Sequence, residues 1–420
     1  MDKNKKIPEV RFKGFEDEWT SIRLCDISQK VTEKNTASVC QNVFTNSAEY
    51  GIINQRDFFD HDVANADNIQ GYYVVRPNDY VYNPRISTTA PVGPINRNKL
   101  GYNGVMSPLY YVFRVEPQQE SILYFLDYYF KSNKWHDFMF KNGNSGARSD
   151  RFSISDSTFS LMPILYPKKE EEQMKIGKML TVIDTLIRKL EQKLEKLRNI
   201  KQSLLNQMFI NVNRGGYTPL IRFKGFEDEW SVVALNNISE RITRKNTNNE
   251  SSLPLTISAQ YGLINQNDFF NSRIASKDVS GYYLIKKGEF AYNKSTSDGY
   301  PVGAVKRLNK YEMGVLSTLY IIFALKKEKL NSDFLSAFFE TGKWHEHIYQ
   351  CASEGARNHG LLNISSDDFL KLKILAPKAK NEQALISEFV MLMDRLVNES
   401  TDKLSKFRSM NHSLLQKMFV

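Results

Sequence analysis

Nine residues, RFKGFEDEW, occupy Arg11–Trp19 and return unchanged at Arg222–Trp230, a shift of 211 positions. A repeat at this distance constrains the fold more than any other feature, because it means one structural unit built twice. The same shift sets SAEYGIINQRDFF from Ser47 against SAQYGLINQNDFF from Ser258. At a shift of 210, GYYVVRPNDYVYN from Gly71 meets GYYLIKKGEFAYN from Gly281, and GVMSPLYYVF from Gly104 meets GVLSTLYIIF from Gly314. KWHDF at Lys134 and KWHEH at Lys343 are 209 apart, and MPILYPKKEEEQ from Met162 meets LKILAPKAKNEQ from Leu372 at 210. Single-residue changes of shift are what loop-length differences produce.

Each copy has two parts. Its first part carries short β-prone runs, GYYVV and LYYVFRV against GYYLI and LYIIFAL, bounded by Gly, Pro and Asn. SILYFLDYYFKSNKWHDFMF and its partner NSDFLSAFFETGKWHEHIY read as one helix each, with apolar residues recurring at three and four. Its second part is a long heptad helix: Ile176, Leu180, Ile183, Ile187, Leu190, Leu194 and Leu197 form an apolar seam that Lys201 interrupts and Leu204 and Met208 continue. The other copy places Ile386, Val390, Met393, Val397, Leu404, Phe407, Leu414 and Met418 in the same register, weakened at Ser400 and Asn411. Pro167 and Pro377 stand just outside the helices, where a missing N–H matters least. At 1.5 Å per residue, a helix from Glu170 to Phe209 would extend roughly 60 Å.

One such helix exposes a stripe that it cannot hide alone, and its own copy offers the matching face. The expected fold is therefore α+β: two tandem, pseudo-two-fold-related mixed α/β domains, 1–168 and 221–378, separated by an antiparallel pair of long helices, 169–210 and 379–420. Residues 211–220, containing NVNRGGYTP, serve as the linker that turns the chain back. The competing arrangement packs each helix on its own domain.

Composition narrows the function. The 420 residues carry a formal charge of +10 and are 12% aromatic, a balance that attracts polyanions without naming one. Three scattered cysteines, Cys25, Cys40 and Cys351, suit a reducing compartment, and neither a signal peptide nor a membrane span is evident, so a cytoplasmic location is expected. The sequence offers no dinucleotide or phosphate-binding glycine loop, no nucleophile elbow and no His/Cys ligand set, so no catalytic residue and no metal site are expected. The repeated acids Asp57 and Asp268, and Asp184 and Asp394, read as helix-surface or capping groups.

A ruler with matched heads suits duplex DNA, whose own pseudo-two-fold meets that of the protein. Base contacts are expected where the copies disagree inside a shared frame. YNPRISTTAPVG from Tyr82 faces YNKSTSDGYPVG from Tyr292, offering Arg85, Ser87 and Thr88 in one and Lys294, Ser295 and Ser297 in the other. Arg grips guanine edges bidentately, Ser and Thr bond either kind of edge, and Lys holds phosphate. The same loops also read as plain Gly/Pro turns. GNSGARSDRFSI from Gly143 faces ASEGARNHGLLNI from Ala352: the shared Arg148 and Arg357 suit phosphate, while Arg151, Asn358 and His359 suit reading. Lys13 and Lys224, inside the repeated phrase, read as solvated.

The RFKGFEDEW openings, the GAR segments, the Pro…Glu-Gln starts of the long helices and the helical IDTLIRKLEQKLEKLRNIKQSLLNQMF together resemble a specificity subunit of type I restriction-modification over essentially the whole chain. The resemblance implies that two target-recognition domains read the halves of a bipartite DNA site while the helices space them. It implies two methyltransferase subunits as partners, with restriction/translocase subunits joining for cleavage. S-adenosylmethionine, ATP and Mg would then serve those partners, none being bound here. A coiled-coil scaffold with no DNA role is the alternative. The close likeness of the two frames predicts related half-sites, each read inward on its own strand.

Overall fold

The computed structural model describes residues 6–36, 38–57, 66–145, 150–258, 261–297, 299–326, 328–352 and 360–420, apart from 271–274. It holds two α/β domains joined by a pair of long helices. By contacts, one compact unit comprises residues up to Glu191 together with Asp402–Val420, and the other comprises Gln192–Thr401.

In the first unit the centre is a four-stranded antiparallel sheet in the order Ser28–Lys30, Tyr111–Val115, Tyr80–Tyr82, Ile95–Arg97. Tyr80, Val81 and Tyr82 are all buried, so this strand is covered on both faces. Its tyrosines stay inside because their hydroxyls find acceptors, Tyr80 donating to the Leu123 carbonyl at 2.9 Å and Tyr82 to the Val92 carbonyl at 2.9 Å. The helix Glu120–Tyr129 turns Leu123, Phe125, Leu126, Tyr128 and Tyr129 into the core. Thr20–Arg23 pairs with Pro163–Tyr166, tying the start of the domain to its end.

The second unit repeats this plan. Its sheet runs Ser239–Ile242, Ile321–Leu325, Phe290–Asn293, Ala304–Arg307, the helix Ser332–Phe339 covers it, and Ser231–Ala234 closes on Lys373–Ala376.

The aromatic segment expected as one helix is two in each copy: Glu120–Tyr129 then His136–Asn142, and Ser332–Phe339 then His345–Cys351. Local hydrogen bonds break it. Ser132 Oγ donates back to the Tyr129 carbonyl at 2.6 Å, Thr341 Oγ1 does the same to Phe338 at 2.7 Å, and each following tryptophan indole bonds the chain at Phe130 or Phe339.

The long helices are Glu170–Met208 and Lys380–Lys417. Seam positions Ile176, Leu180, Ile183, Leu194, Ile386, Val390, Met393 and Leu404 are buried, and Ile187, Leu190, Leu197, Val397, Phe407 and Leu414 are half-buried. Both packing arrangements weighed from sequence occur at once. The first turns of each helix enter their own domain's core, Ile176, Leu180 and Ile183 in the first and Ile386 and Val390 in the second. The tail of the other helix completes each core. Met418 and Phe419 lie in the first unit, with Phe419 ring centroids 5.4 Å from Phe125 and 6.4 Å from Trp19. Phe209 lies in the second, 5.2 Å from Phe334 and 6.3 Å from Trp230. Within the first unit the helix segments run antiparallel, since Asp184 meets Asn411 while Glu191, seven residues on, meets Arg408.

The repeated nonamer anchors each long helix. Arg11 makes two bonds to the buried Glu172, 2.7 Å from Nε and 2.9 Å from a terminal nitrogen, and the Trp19 indole donates to the same carboxylate at 3.4 Å. Arg222, Glu382 and Trp230 repeat the arrangement at 2.7, 2.8 and 3.3 Å. Lys13 and Lys224 are exposed.

Candidate nucleic-acid interface

The loops that differ between copies hang on residues that do not. Tyr82 and Tyr292 are buried, stack on Phe159 at 4.7 Å and Phe369 at 4.5 Å, and donate across the loop base to Val92 and Val302 at 2.9 and 2.8 Å. Burial drives both phenols well above their ordinary pKa, leaving them as neutral donors. Next along, Asn83 Oδ1 accepts from the Arg85 N–H and Asn293 Oδ1 from the Ser295 N–H, both at 3.0 Å, so each starts its loop with the same turn. At the far end Gly93 and Gly303 have φ of +83° and +76°, and a Cβ there would lie 2.0 Å from the Asn83 or Asn293 carbonyl oxygen. Only glycine closes such a base, which explains why Tyr-Asn and Pro-Val-Gly recur while the residues between them vary.

The second variable segment lies against the first. Arg85 and Arg151 face each other in an antiparallel bridge, with the Ile86 N–H on the Asp150 carbonyl at 3.0 Å and the Phe152 N–H on the Pro84 carbonyl at 2.7 Å. In the other unit Ser295 faces Leu361, the Leu362 N–H bonds the Lys294 carbonyl at 3.0 Å, and the Thr296 N–H bonds Gly360 at 2.6 Å. Two stretches 60 or more residues apart thus form one surface in each unit.

The surfaces differ chemically. Arg85 and Arg151 are exposed, and among the described residues neither is ion-paired. Like charges directly opposite each other cost stability, a cost that an anion or an electron-rich base edge between them would remove. Beside them runs a shallow groove lined by Lys30, Leu109, Tyr111, Arg151 and Asp156, in which Lys30 Nζ sits 2.5 Å from Asp156. The counterparts in the other unit are the exposed Ser295 and Leu361, next to a half-buried Lys294 whose pKa burial lowers.

Ser87 and Thr88 are exposed, but Ser87 Oγ accepts the Ala90 N–H at 3.1 Å and so shapes its own turn. Ser297 is exposed and its backbone exchanges two bonds with Tyr300, at 3.2 and 2.8 Å. Arg148, Arg357, Asn358 and His359 lie outside the described residues. Among the described residues no group of three or more His, Cys, Asp or Glu could hold a metal ion, and no helix is long and apolar enough to cross a membrane.

A second repeated surface escaped the reading from sequence. Val182 and Leu186 are 58% and 40% exposed on the first long helix, and Leu392 and Leu396, 210 positions later, are 50% and 39% exposed on the second. They lie outside the seam. Their signal was apolar character at matching positions of both copies, off the seam register.

Over residues 16–199 the sequence matches the family model of the type I restriction modification DNA specificity domain. No curated protein matches it in sequence. Among solved structures, the type I restriction-modification system S subunit from M. genitalium is similar with a TM-score of 0.60 at 12% identity, over 99% of this chain and 99% of that one. A chain from work on complex assembly and conformational transition of the type I R-M system is similar at a TM-score of 0.51 and 12% identity, over 94% of this chain and 96% of that one. At such identity these likenesses concern the fold.

Proposed function

We infer from the family match over residues 16–199 that the chain is a type I restriction-modification DNA specificity subunit, and that each of its two domains reads one half of a bipartite duplex site. As a specificity subunit it is non-catalytic, and it associates with DNA and with other subunits of such a system. Residues 1–168 and 221–378 are the two target-recognition domains; 169–210 and 379–420 are the helices that set the spacing between half-sites, and 211–220 links them. The variable surface built by Arg85 and Arg151, with Ser87 and Thr88 alongside, reads one half. Lys294, Ser295 and Ser297 serve the other, with Arg148 and Arg357 holding phosphate and Asn358 and His359 reading bases.

The observation that carries this reading is the exposed arginine pair held across a bridge at the base of a duplicated loop. Two guanidiniums side by side suit guanine O6 and N7 or a phosphate, and the neutral Ser295 opposite Leu361 suits different bases in the other half. The repeated frames orient both surfaces alike, so the half-sites are related in polarity and differ where these residues touch. The duplicated apolar patch, Val182 with Leu186 and Leu392 with Leu396, supports docking of two methyltransferase subunits, one per copy. S-adenosylmethionine would be bound by those subunits, and ATP and Mg by the restriction/translocase subunits, which complete the complex.

Mapping methylated adenines in cells with this chain and its methyltransferase tests the reading. One bipartite motif is expected. Arg85→Ala and Arg151→Ala should each relax one half of it at the base they touch, by about 1–3 kcal/mol, and leave the other half intact. A methylation map identical with and without the chain would overturn it.

A further inference from the structure

We propose that a relocated cation in two otherwise equivalent polar sites dictates which helix tail docks on which domain. Three positions define each site and correspond through the repeat: Asp184 with Asp394 on the long helices, Asn411 with Lys201 on the tails, and Lys131 with Glu340 on the domains. In the first unit the Asp184 carboxylate accepts from Lys131 Nζ at 2.6 Å, from the Tyr128 hydroxyl at 3.1 Å and from Asn411 Nδ2 at 3.0 Å. In the second, Lys201 Nζ lies 2.5 Å from Asp394 and 3.7 Å from Glu340, and Lys306 holds the other oxygen of Glu340. The domain supplies the ammonium in one unit, and the tail supplies it in the other.

Each site is balanced as it stands. Exchanging the tails would bring Lys201 to Asp184 where Lys131 already sits, leaving a cation over. It would bring Asn411 to Asp394, Glu340 and Lys306, leaving an anion over. The second site is the better shielded, with the Lys201 and Lys306 side chains 16% and 14% exposed against 42% and 22% for Lys131 and Asp184 in the first, so the excess charge is costlier there. The apolar contacts cannot make this choice, because the tails read SLLNQMF from Ser203 and SLLQKMF from Ser413 and offer the same Leu, Met and Phe to either core. Without the charges, two chains could pair first half on first half and second half on second half. Closure within one chain is favoured by its high effective concentration, and the charges add selectivity when concentration rises.

The test uses the full chain, unfolded in urea, refolded over a range of concentrations and examined by sedimentation and thermal unfolding. Asn411→Lys and Lys131→Gln should each lower the melting temperature of the first unit. Combined, they move the ammonium from the domain to the tail, as in the second unit, so most of the loss should be recovered while the dimer fraction at high concentration rises several-fold over the parent chain. Lys201→Asn, which makes the two tails alike without touching the first unit, should raise the dimer fraction as well and serves if Lys131→Gln does not fold. Additive losses in the double variant, or a dimer fraction equal to the parent's in both the double variant and Lys201→Asn, would overturn the proposal.

Discussion

Arg11 grips Glu172 with two hydrogen bonds of 2.7 and 2.9 Å, across 161 positions of sequence, and the carboxylate is 1% exposed. The charged hydrogen bond holds the guanidinium above its ordinary pKa despite burial. With Trp19 on the same carboxylate, the pair fastens the opening of the domain to the start of its long helix.

Glu172→Gln or Arg11→Ala leaves a buried partner without its counter-charge and should cost about 3–5 kcal/mol, read as earlier unfolding of the first unit in urea. Replacing both by apolar residues of similar volume should cost far less. Glu382→Gln should reproduce the loss in the second unit, where Arg222 stands in the same place.

Gly93 and Gly303 close the reading loops with a backbone that rejects a Cβ. Gly93→Ala should destabilise the loop by about 2 kcal/mol or more. In a methylation map it should erode recognition of one half-site and leave the other intact, with Gly303→Ala showing the mirror result.

The exposed apolar pairs on the long helices carry no part of the cores. Val182→Asp with Leu186→Asp should therefore leave the melting temperature nearly unchanged while weakening association with the methyltransferase by tenfold or more, measured by titration calorimetry. Altering Leu392 and Leu396 as well should abolish the second binding event, so the stoichiometry of the titration counts the docking faces.

His136 and His345 pack edge-on against Trp135 and Trp344, at 4.7 and 4.9 Å, and burial lowers both pKa values below the ordinary 6.5. The unfolded chain then binds protons that the folded chain refuses. Their contribution is full above pH 6.5 and falls away as pH drops below it towards the folded values. Melting temperature should be lower at pH 5.5 than at 7.5, and His136→Gln with His345→Gln should shrink that difference.

Periodicity made the long helices and their seam legible, because an apolar residue at every third or fourth position has one physical meaning. Repeat alignment likewise made the two domains legible. It did not reveal that Glu120–Tyr129 and His136–Asn142 are separate, since Ser132 breaks the helix through a side-chain bond that hydrophobic spacing cannot register. Divergence inside a shared frame pointed to Arg85 and to Arg151, yet only the bridge between their strands places them side by side. Lys201 read as a flaw in the seam, and its meaning depends on Asp394 and Glu340, both more than 130 positions away.

The two units are alike in design but unlike in how synthesis delivers them. The second is one uninterrupted stretch, Gln192–Thr401, and every part of its core is available as soon as that stretch has left the ribosome. In the first, Trp19 and Phe125 must wait for Phe419, 400 positions after Trp19, before their cavity is filled. The domain translated first is therefore the one completed last, and through that interval its unfinished apolar face is the part of the nascent protein most in need of a chaperone.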